Sequence, residues 1–424
     1  MSSPAAASRT ALLLRSLVGL SPGRNTELRA YEADFASFFG PGLHAVAFDR
    51  GRTAMTALLT AAGLRAGDEV ILSAYTCHSV PAALSAAGLR PVLVDIDPVN
   101  FGPAVAAVER AVTPRSRALV IQHSYGWPAD VDALIPPARN RGLTVIEDCC
   151  QSLGTRRGGV WLGTLADGAF FSMQWNKHYS TAFGGMALLR NEGIAGDLRF
   201  RRDAAAAPPS LPARQLLAAE LLAFEMLMYP RSAALLTTLY RKISGGTSLP
   251  GGSEGVEGAA GSATAHPAQG EVEGNVPQAG VSALQAALGR WEVARLAENI
   301  ARRRDAAKHI TSTLRGQGHA VVAEPPNVEV SPLRLPVRIA DPLDAIARAR
   351  CHGFELTTWF DVPTDPLNGF RNDPHYAAGS CPLAEQAARS VVLIPLGRRI
   401  TSAVQGRIER FFAGYPRAGP AGAI

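Results

Sequence analysis

From Asp68 to Gln151 the chain alternates short apolar runs with helix-like stretches, and this alternation constrains the fold more than any other feature. "DEVILSA", "PVLVDID", "ALVIQHS" and "TVIEDCC" are strand-like and lack a polar face. "VPAALSAAGL", the stretch from Ala104 to Ala111 and "DVDALIPPARNRG" separate them as helices. Strands without polar alternation, joined by helical crossovers, predict a parallel sheet buried on both faces. Asp95, Asp97, His123 and Asp148 stand where these strands end. Open α/β sheets bind ligands at the carboxyl ends of their strands, so chemistry is expected there.

Composition narrows the class. With 47 % hydrophobic and 18 % charged residues, 424 residues can bury a large core. The formal charge of +6 comes from scattered lysines and arginines. That suits solubility and a phosphorylated substrate rather than nucleic acid. Five cysteines, with Cys149 and Cys150 adjacent in an apolar run, suit buried thiols in a reducing compartment. No Cys or His spacing matches a zinc site, so no metal is expected. "SRTALLLRSLVGLSPG" reads as an amphipathic helix rather than a signal peptide, because Arg15 interrupts it. "LLAAELLAFEMLMYPRSAALLTTLY", Leu216 to Tyr240, is broken by Glu220, Glu225, Pro230 and Arg231. It reads as a helical hairpin and not as a transmembrane segment.

The expected organisation has five parts. Residues 1–48 form an N-terminal helical segment, 49–200 the large α/β domain and 201–243 an inserted helical hairpin. Residues 244–275, rich in Gly, Ser, Ala and Glu, read as a flexible loop. Residues 276–424 hold one long amphipathic helix, "SALQAALGRWEVARLAENIARRRDAAKHITSTL", and a small C-terminal α+β domain. In that domain "LRLPVRI" and "FELTTWF" are strands and "CPLAEQAARSVV" a helix.

Three local features carry chemistry. In "FDRGRTAMTALLTAAGL", Gly51, Arg52 and Thr53 open a helix whose unpaired N–H groups suit a phosphate; plain N-capping is the alternative. In "VIEDCCQSLG", Asp148 ends a buried strand and needs a partner, either a cofactor cation or a structural ion pair. In "GAFFSMQWNKHYSTAFGGMALL", Ser172 lies five residues before Lys177, which apolar residues flank on both sides. A desolvated lysine loses its proton more readily and forms a Schiff base with a carbonyl. An aldehyde for the lysine, a ring nitrogen for the aspartate and a phosphate for the helix end together describe pyridoxal 5'-phosphate.

The chain resembles the nucleotide-sugar aminotransferases of the DegT/StrS type, over roughly Glu27 to Ile400 outside the middle insertion. The matching stretches are "GRTAMTALLTAAGLRAGDEVILSAYT", "PVLVDIDP", "HSYGWPADVDAL", "VIEDCCQSLG", "FFSMQWNK" with its "GG", "SALQAALGRWEVARL" and "CPLAEQAARSVVLIPL". The resemblance implies the PLP-dependent transferase fold type I, with a mostly parallel central sheet in the large domain. It implies that Lys177 holds the cofactor and Asp148 pairs with the pyridinium nitrogen. Gln151 lies against the ring, and Ser172, Arg52 and Thr53 hold the phosphate. His123 matches a position near the cofactor. It further implies a cytoplasmic homodimer that moves an amino group, from glutamate, onto a keto sugar that is nucleotide-linked, for polysaccharide or natural-product biosynthesis.

Three departures stand out. Gly51-Arg52-Thr53 replaces the family's Ser-Gly-Thr. Cys77, followed by His78, replaces a ring-stacking aromatic and leaves His78 either to stack on the ring or to stay a surface imidazole. The asparagine lent by a neighbouring subunit is missing from "PQAGVSALQAALG", which offers Gln278 and Ser282. Two rivals share the fold: a PLP-dependent sugar dehydratase, whose relatives carry histidine in place of the lysine, and a non-catalytic ligand-sensing regulator. Asp95 and Asp97 read as turn-formers. Arg398 and Arg399 are solvated or bind a substrate phosphate.

Overall fold

The structure is a computed structural model that describes residues 8–20, 23–205, 207, 209–227, 280–358, 374–397 and 400–417. The expected loop at 244–275, the second half of the expected hairpin, Gln278, Arg398 and Arg399 lie outside the described residues. The chain divides into two units. One comprises Met1–Ala54, Phe170–Glu254 and Pro277–Ile300, and the other Met55–Ala169, Gly255–Val276 and Ala301–Ile424.

Helices α1 (Arg9–Leu17) and α2 (Arg24–Phe39) open the first unit. Strand β1 (His44–Phe48) follows, inside the segment expected to be helical; its residues are all apolar or aromatic after His44. Helix α3 starts at Gly51 and runs to Ala61. The second unit then supplies β2 (Glu69–Ser73), α4 (Ser79–Ala86), β3 (Arg90–Val94) and α5 (Val105–Ala111). It continues with β4 (Ser116–Gln122), α6 (Val131–Asn140) and β5 (Thr144–Asp148). This is the alternation expected, with β2–β3, β2–β4 and β4–β5 all parallel. Every residue of β2 is buried, as a strand covered on both faces requires.

Short strands β6 (Arg156–Arg157) and β7 (Val160–Trp161) precede β8 (Gly168–Ser172) and β9 (Gly185–Leu189). In the first unit β1 and β9 pair antiparallel, and in the second the parallel strands run in the order β5-β4-β2-β3. In the first unit, α7 (Glu192–Ala205) is tied to β1 and α2 through buried Glu32. Its carboxylate accepts from the Ala47 amide at 3.1 Å and from Arg199 at 2.9 Å, and pairs with Arg202. Helix α8 (Leu211–Leu227) packs against α1, placing Leu13, Ala218 and Leu221 in one apolar cluster with Leu284 and Leu288.

The single long helix expected after residue 280 is two helices, α9 (Ala283–Val293) and α10 (Leu296–Gly316). The Arg295 amide bonds Glu292 three residues back, and this tightened turn interrupts the ladder. No Pro or Gly marks the break, so the sequence carries no signal for it. The second unit closes with β10 (Ala320–Val321), β11 (Val328–Glu329), β12 (Arg334–Arg338), α11 (Pro342–Cys351), α12 (Pro382–Ser390), β13 (Val391–Pro395) and α13 (Ser402–Ala413). Strand β12 lies between β10 and β13. The run "FELTTWF" does not form the expected strand over its described residues. It contributes one bridge, Thr357 to Leu393. "CPLAEQAARSVV" is helical only to Ser390, where the β-branched Val391 and Val392 begin β13.

Candidate active site

In the first unit, residues 173–184 connect β8 to β9 as a closed loop. The Met173 amide donates to the Gly184 carbonyl at 2.9 Å, and the Thr181 amide returns to Met173 at 3.2 Å. Lys177 lies inside this loop, only 8 % exposed, with its backbone N–H bonded to Gln174 at 3.1 Å. Side chains far away in sequence hold the loop. Asn299 of α10 donates to the His178 carbonyl at 2.5 Å, and Gln285 of α9 to the Phe183 carbonyl at 2.8 Å. Arg9 of α1, ion-paired with Glu292, reaches the Ser180 carbonyl at 3.5 Å. Tyr31 of α2 meets Tyr179 hydroxyl to hydroxyl at 2.7 Å, in full burial that raises both phenol pKa values. Gly289 allows this: a Cβ there would stand 2.4 Å from the Tyr31 ring.

The glycine pair ending the loop has a packing cause. A Cβ on Gly185 would lie 2.1 Å from the Arg50 carbonyl oxygen, and one on Gly184 2.7 Å from the Thr181 hydroxyl. Only glycine lets β9 begin directly against the turn that opens α3. On that turn Arg52 is exposed and Thr53 buried. Ser172, half-buried, ends β8. The first unit therefore carries the helix end, the hydroxyls and the amine.

In the second unit, Asp148 ends β5 and is 6 % exposed. Its Oδ1 accepts from the Cys150 amide at 2.9 Å. Gln151 accepts from the Tyr125 amide at 3.0 Å, which supports Tyr125 at a φ of 61°. Cys77 is half-buried, its sulfur 3.1 Å from the Ser79 hydroxyl. His78 is half-buried at the start of α4, and its side chain makes no capping hydrogen bond.

His123 is fully buried. Its Nδ1 accepts from the Ala129 amide at 3.1 Å, so the ring proton sits on Nε2 and is donated to Glu147 at 3.1 Å. Glu147 also accepts from the amides of Gly163, Leu165 and Ala166. Cys149 joins them, within 4.8 Å. Burial, then Glu147, pushes its thiol pKa well up. With a protonated thiol and a histidine already using both nitrogens, this group holds the strand ends in place and offers no metal site.

Several expectations change. Ser282, where the segment lacks the family's asparagine, gives its hydroxyl to a capping box with Gln285 at the start of α9. Asp97 does form a turn, accepting from the Val99 and Asn100 amides. Asp95 does more: its carboxylate caps α12 through the Leu383 and Ala384 amides at 3.1 and 2.9 Å. Asn299, Gln285, Tyr31 and Tyr179 escaped sequence reasoning, because nothing local in the sequence points across the more than 100 residues separating each pair.

The DegT/DnrJ/EryC1/StrS aminotransferase family matches residues 13–244 and 272–411. The chain belongs to that family. Among relatives, it is 37 % identical over 172 residues to the GDP-perosamine synthase of Caulobacter vibrioides, covering 41 % of this chain and 46 % of that protein. It is 35 % identical over 186 residues to an L-glutamine:2-deoxy-scyllo-inosose aminotransferase of Streptoalloteichus tenebrarius, covering 44 % of each. The chain thus spans less than half the length of these curated relatives. The aminotransferase TlmJ from Streptoalloteichus hindustanus superposes with a TM-score of 0.71 at 20 % identity, covering 96 % of this chain and 94 % of that one. This shows the type I aminotransferase fold.

Membership in the family implies pyridoxal 5'-phosphate as the cofactor. The residues present fit it: a buried amine, a buried strand-end carboxylate, and a helix N-terminus flanked by hydroxyl groups.

Proposed function

We propose that this chain is a PLP-dependent aminotransferase that transfers an amino group from glutamate to a keto sugar, a nucleotide-linked one, in polysaccharide or natural-product biosynthesis. The observation that carries the reading is Lys177: a buried amine in a loop closed on itself and fixed by four helices. A lysine that only supplied surface charge would not be enclosed in this way. Relatives named as sugar and cyclitol aminotransferases support the substrate class.

When bound, the cofactor supplies an aldehyde for the amine and an electron sink for the carbon that loses its proton. Lys177 provides the amine that anchors it. When not holding the cofactor, the Lys177 Nζ would take the proton from the substrate carbon and return it, as general base and then acid. Asp148 holds a proton on the ring nitrogen by its negative charge. Thr53 and Ser172 would donate hydroxyls to the phosphate, with the first turn of α3. Gln151 would lie against the ring, and Cys77 and His78, just before α4, would line it. Arg52, exposed, contributes charge rather than a fixed contact.

The lysine argues against the dehydratase reading. The five cysteines are all free, which suits the cytoplasm, and no helix among the described residues is long and apolar enough to cross a membrane. Exposed Leu14, Val18 and Leu20 at α1 and Leu216 on α8 offer an apolar surface for a second copy, supporting a homodimer. The test is turnover: purified protein is assayed with glutamate and a panel of nucleotide-linked and free keto sugars. Ping-pong kinetics on one of them is the expected result. A visible cofactor band with no amino transfer to any of them would favour a ligand-sensing regulator instead.

A further inference from the structure

Arg50 has no role in the reading above, and its surroundings call for one. Its guanidinium lies 4.0 Å over the centre of the Phe183 ring, in the loop that carries Lys177. Among the described residues its one side-chain hydrogen bond runs from Nη1 to the carbonyl of its own neighbour Asp49, at 3.2 Å. Among the described residues it forms no ion pair. Burial lowers its pKa; Asp49 opposes this and Arg52 adds to it. Arg50 is half-buried, and with four of its five donors unbonded among the described residues it can take an anion by charge-assisted hydrogen bonds. Stacking on Phe183 fixes where the group points.

The backbone ties the same residue to the start of α3. The Arg50 carbonyl accepts from the Ala54 amide at 3.2 Å, which makes Arg50 the last residue before the helix. Gly185 touches that carbonyl from the end of the lysine loop. Arg50 thus links two features that the cofactor reading already uses, the helix end that faces a phosphate and the loop that holds the amine. The charges of Asp49, Arg50 and Arg52 sum to a net positive turn, where the family pattern has Ser-Gly-Thr and relies on backbone N–H groups and hydroxyls.

We propose that Arg50 binds the cofactor phosphate directly, supplying in this chain a charge-assisted contact at the mouth of α3. This rests on the pyridoxal phosphate reading, and the test separates the two. Binding of pyridoxal phosphate and of pyridoxal, which lacks the phosphate, is followed by visible absorbance in wild-type protein, Arg50→Ala, Arg50→Lys and Arg52→Ala. The expected result is a loss of about 10- to 100-fold in pyridoxal phosphate affinity for Arg50→Ala, the size of one charge-assisted hydrogen bond. Pyridoxal affinity should be unchanged. Arg50→Lys should recover part of the loss, and Arg52→Ala should lose less than threefold. Equal weakening of both ligands would mean that Arg50 only steadies the loop through Phe183, and unchanged affinity for both would mean that it faces no anion. Either result overturns the proposal. Wild-type protein that binds neither ligand would overturn the cofactor reading itself, and this proposal with it.

Discussion

The lysine loop and the end of β5 present two ways of fixing a reactive group. The β5 end is organised by near neighbours: Asp148 accepts from a residue two positions on, and Glu147 from residues 16 to 19 positions on. The lysine loop is organised at long range, by contacts spanning 102 to 171 residues. Local hydrogen bonds form as soon as the strand and its following turn do. Long-range ones exist only once α1, α2, α9 and α10 have docked. The comparison teaches that amides of the following turns hold the end of β5, while side chains of distant helices hold the backbone of the lysine loop.

Mutations can break this contrast. Lys177→Ala should abolish turnover and the visible cofactor band while leaving circular dichroism unchanged, since the loop is held by backbone hydrogen bonds and by Asn299, Gln285 and Tyr31, which the substitution leaves in place. A variant that keeps both the band and full activity sinks the assignment. Asp148→Asn should retain cofactor and lose activity by about 10²–10³-fold, near 3–4 kcal/mol of barrier, as for other lost charge contacts in enclosed sites. Wild-type rates in this variant would leave Asp148 a structural role only.

The next pair addresses the contrast itself. Glu147→Ala removes the acceptor of His123 and three backbone amides, so it should lower unfolding stability by about 3 kcal/mol or more, read by chemical denaturation. Asn299→Ala should cost less, about 1–3 kcal/mol, because one carbonyl loses its donor. Yet Asn299→Ala should slow turnover further than its stability loss explains, by loosening the loop beneath Lys177. If the two variants affected stability and turnover in the same proportion, the distinction between the regions would fail. Tyr31→Phe should have the smallest effect, about 1 kcal/mol, because the Tyr179 hydroxyl loses one partner and the rings stay packed.

The same contrast explains what was readable in the sequence. The alternation from Asp68 to Gln151 announced β2 to β5, because parallel strands buried on both faces leave an unbroken apolar run. Asp148 stood out as a charge ending such a run, and Lys177 as an amine between two of them. The glycine pair was visible, but its cause, contact with the Arg50 carbonyl, needed coordinates. The break between α9 and α10 has no residue signature and is marked only by the tightened turn from Arg295 to Glu292. Asp95 read as a turn residue because its real partner, the start of α12, lies 288 residues away. Arg50 passed unnoticed next to Gly51 and Thr53, since its stacking on Phe183 and its lack of an ion pair among the described residues are tertiary facts.

The central claim, that Lys177 carries the cofactor, has a direct test. Borohydride reduction of the purified, cofactor-loaded protein locks pyridoxal phosphate onto the amine that holds it, and peptide mass mapping then finds that amine. The account predicts the added mass on the peptide containing Lys177 and on no other. An adduct on a different lysine, or none on a protein that shows the visible band, would contradict it.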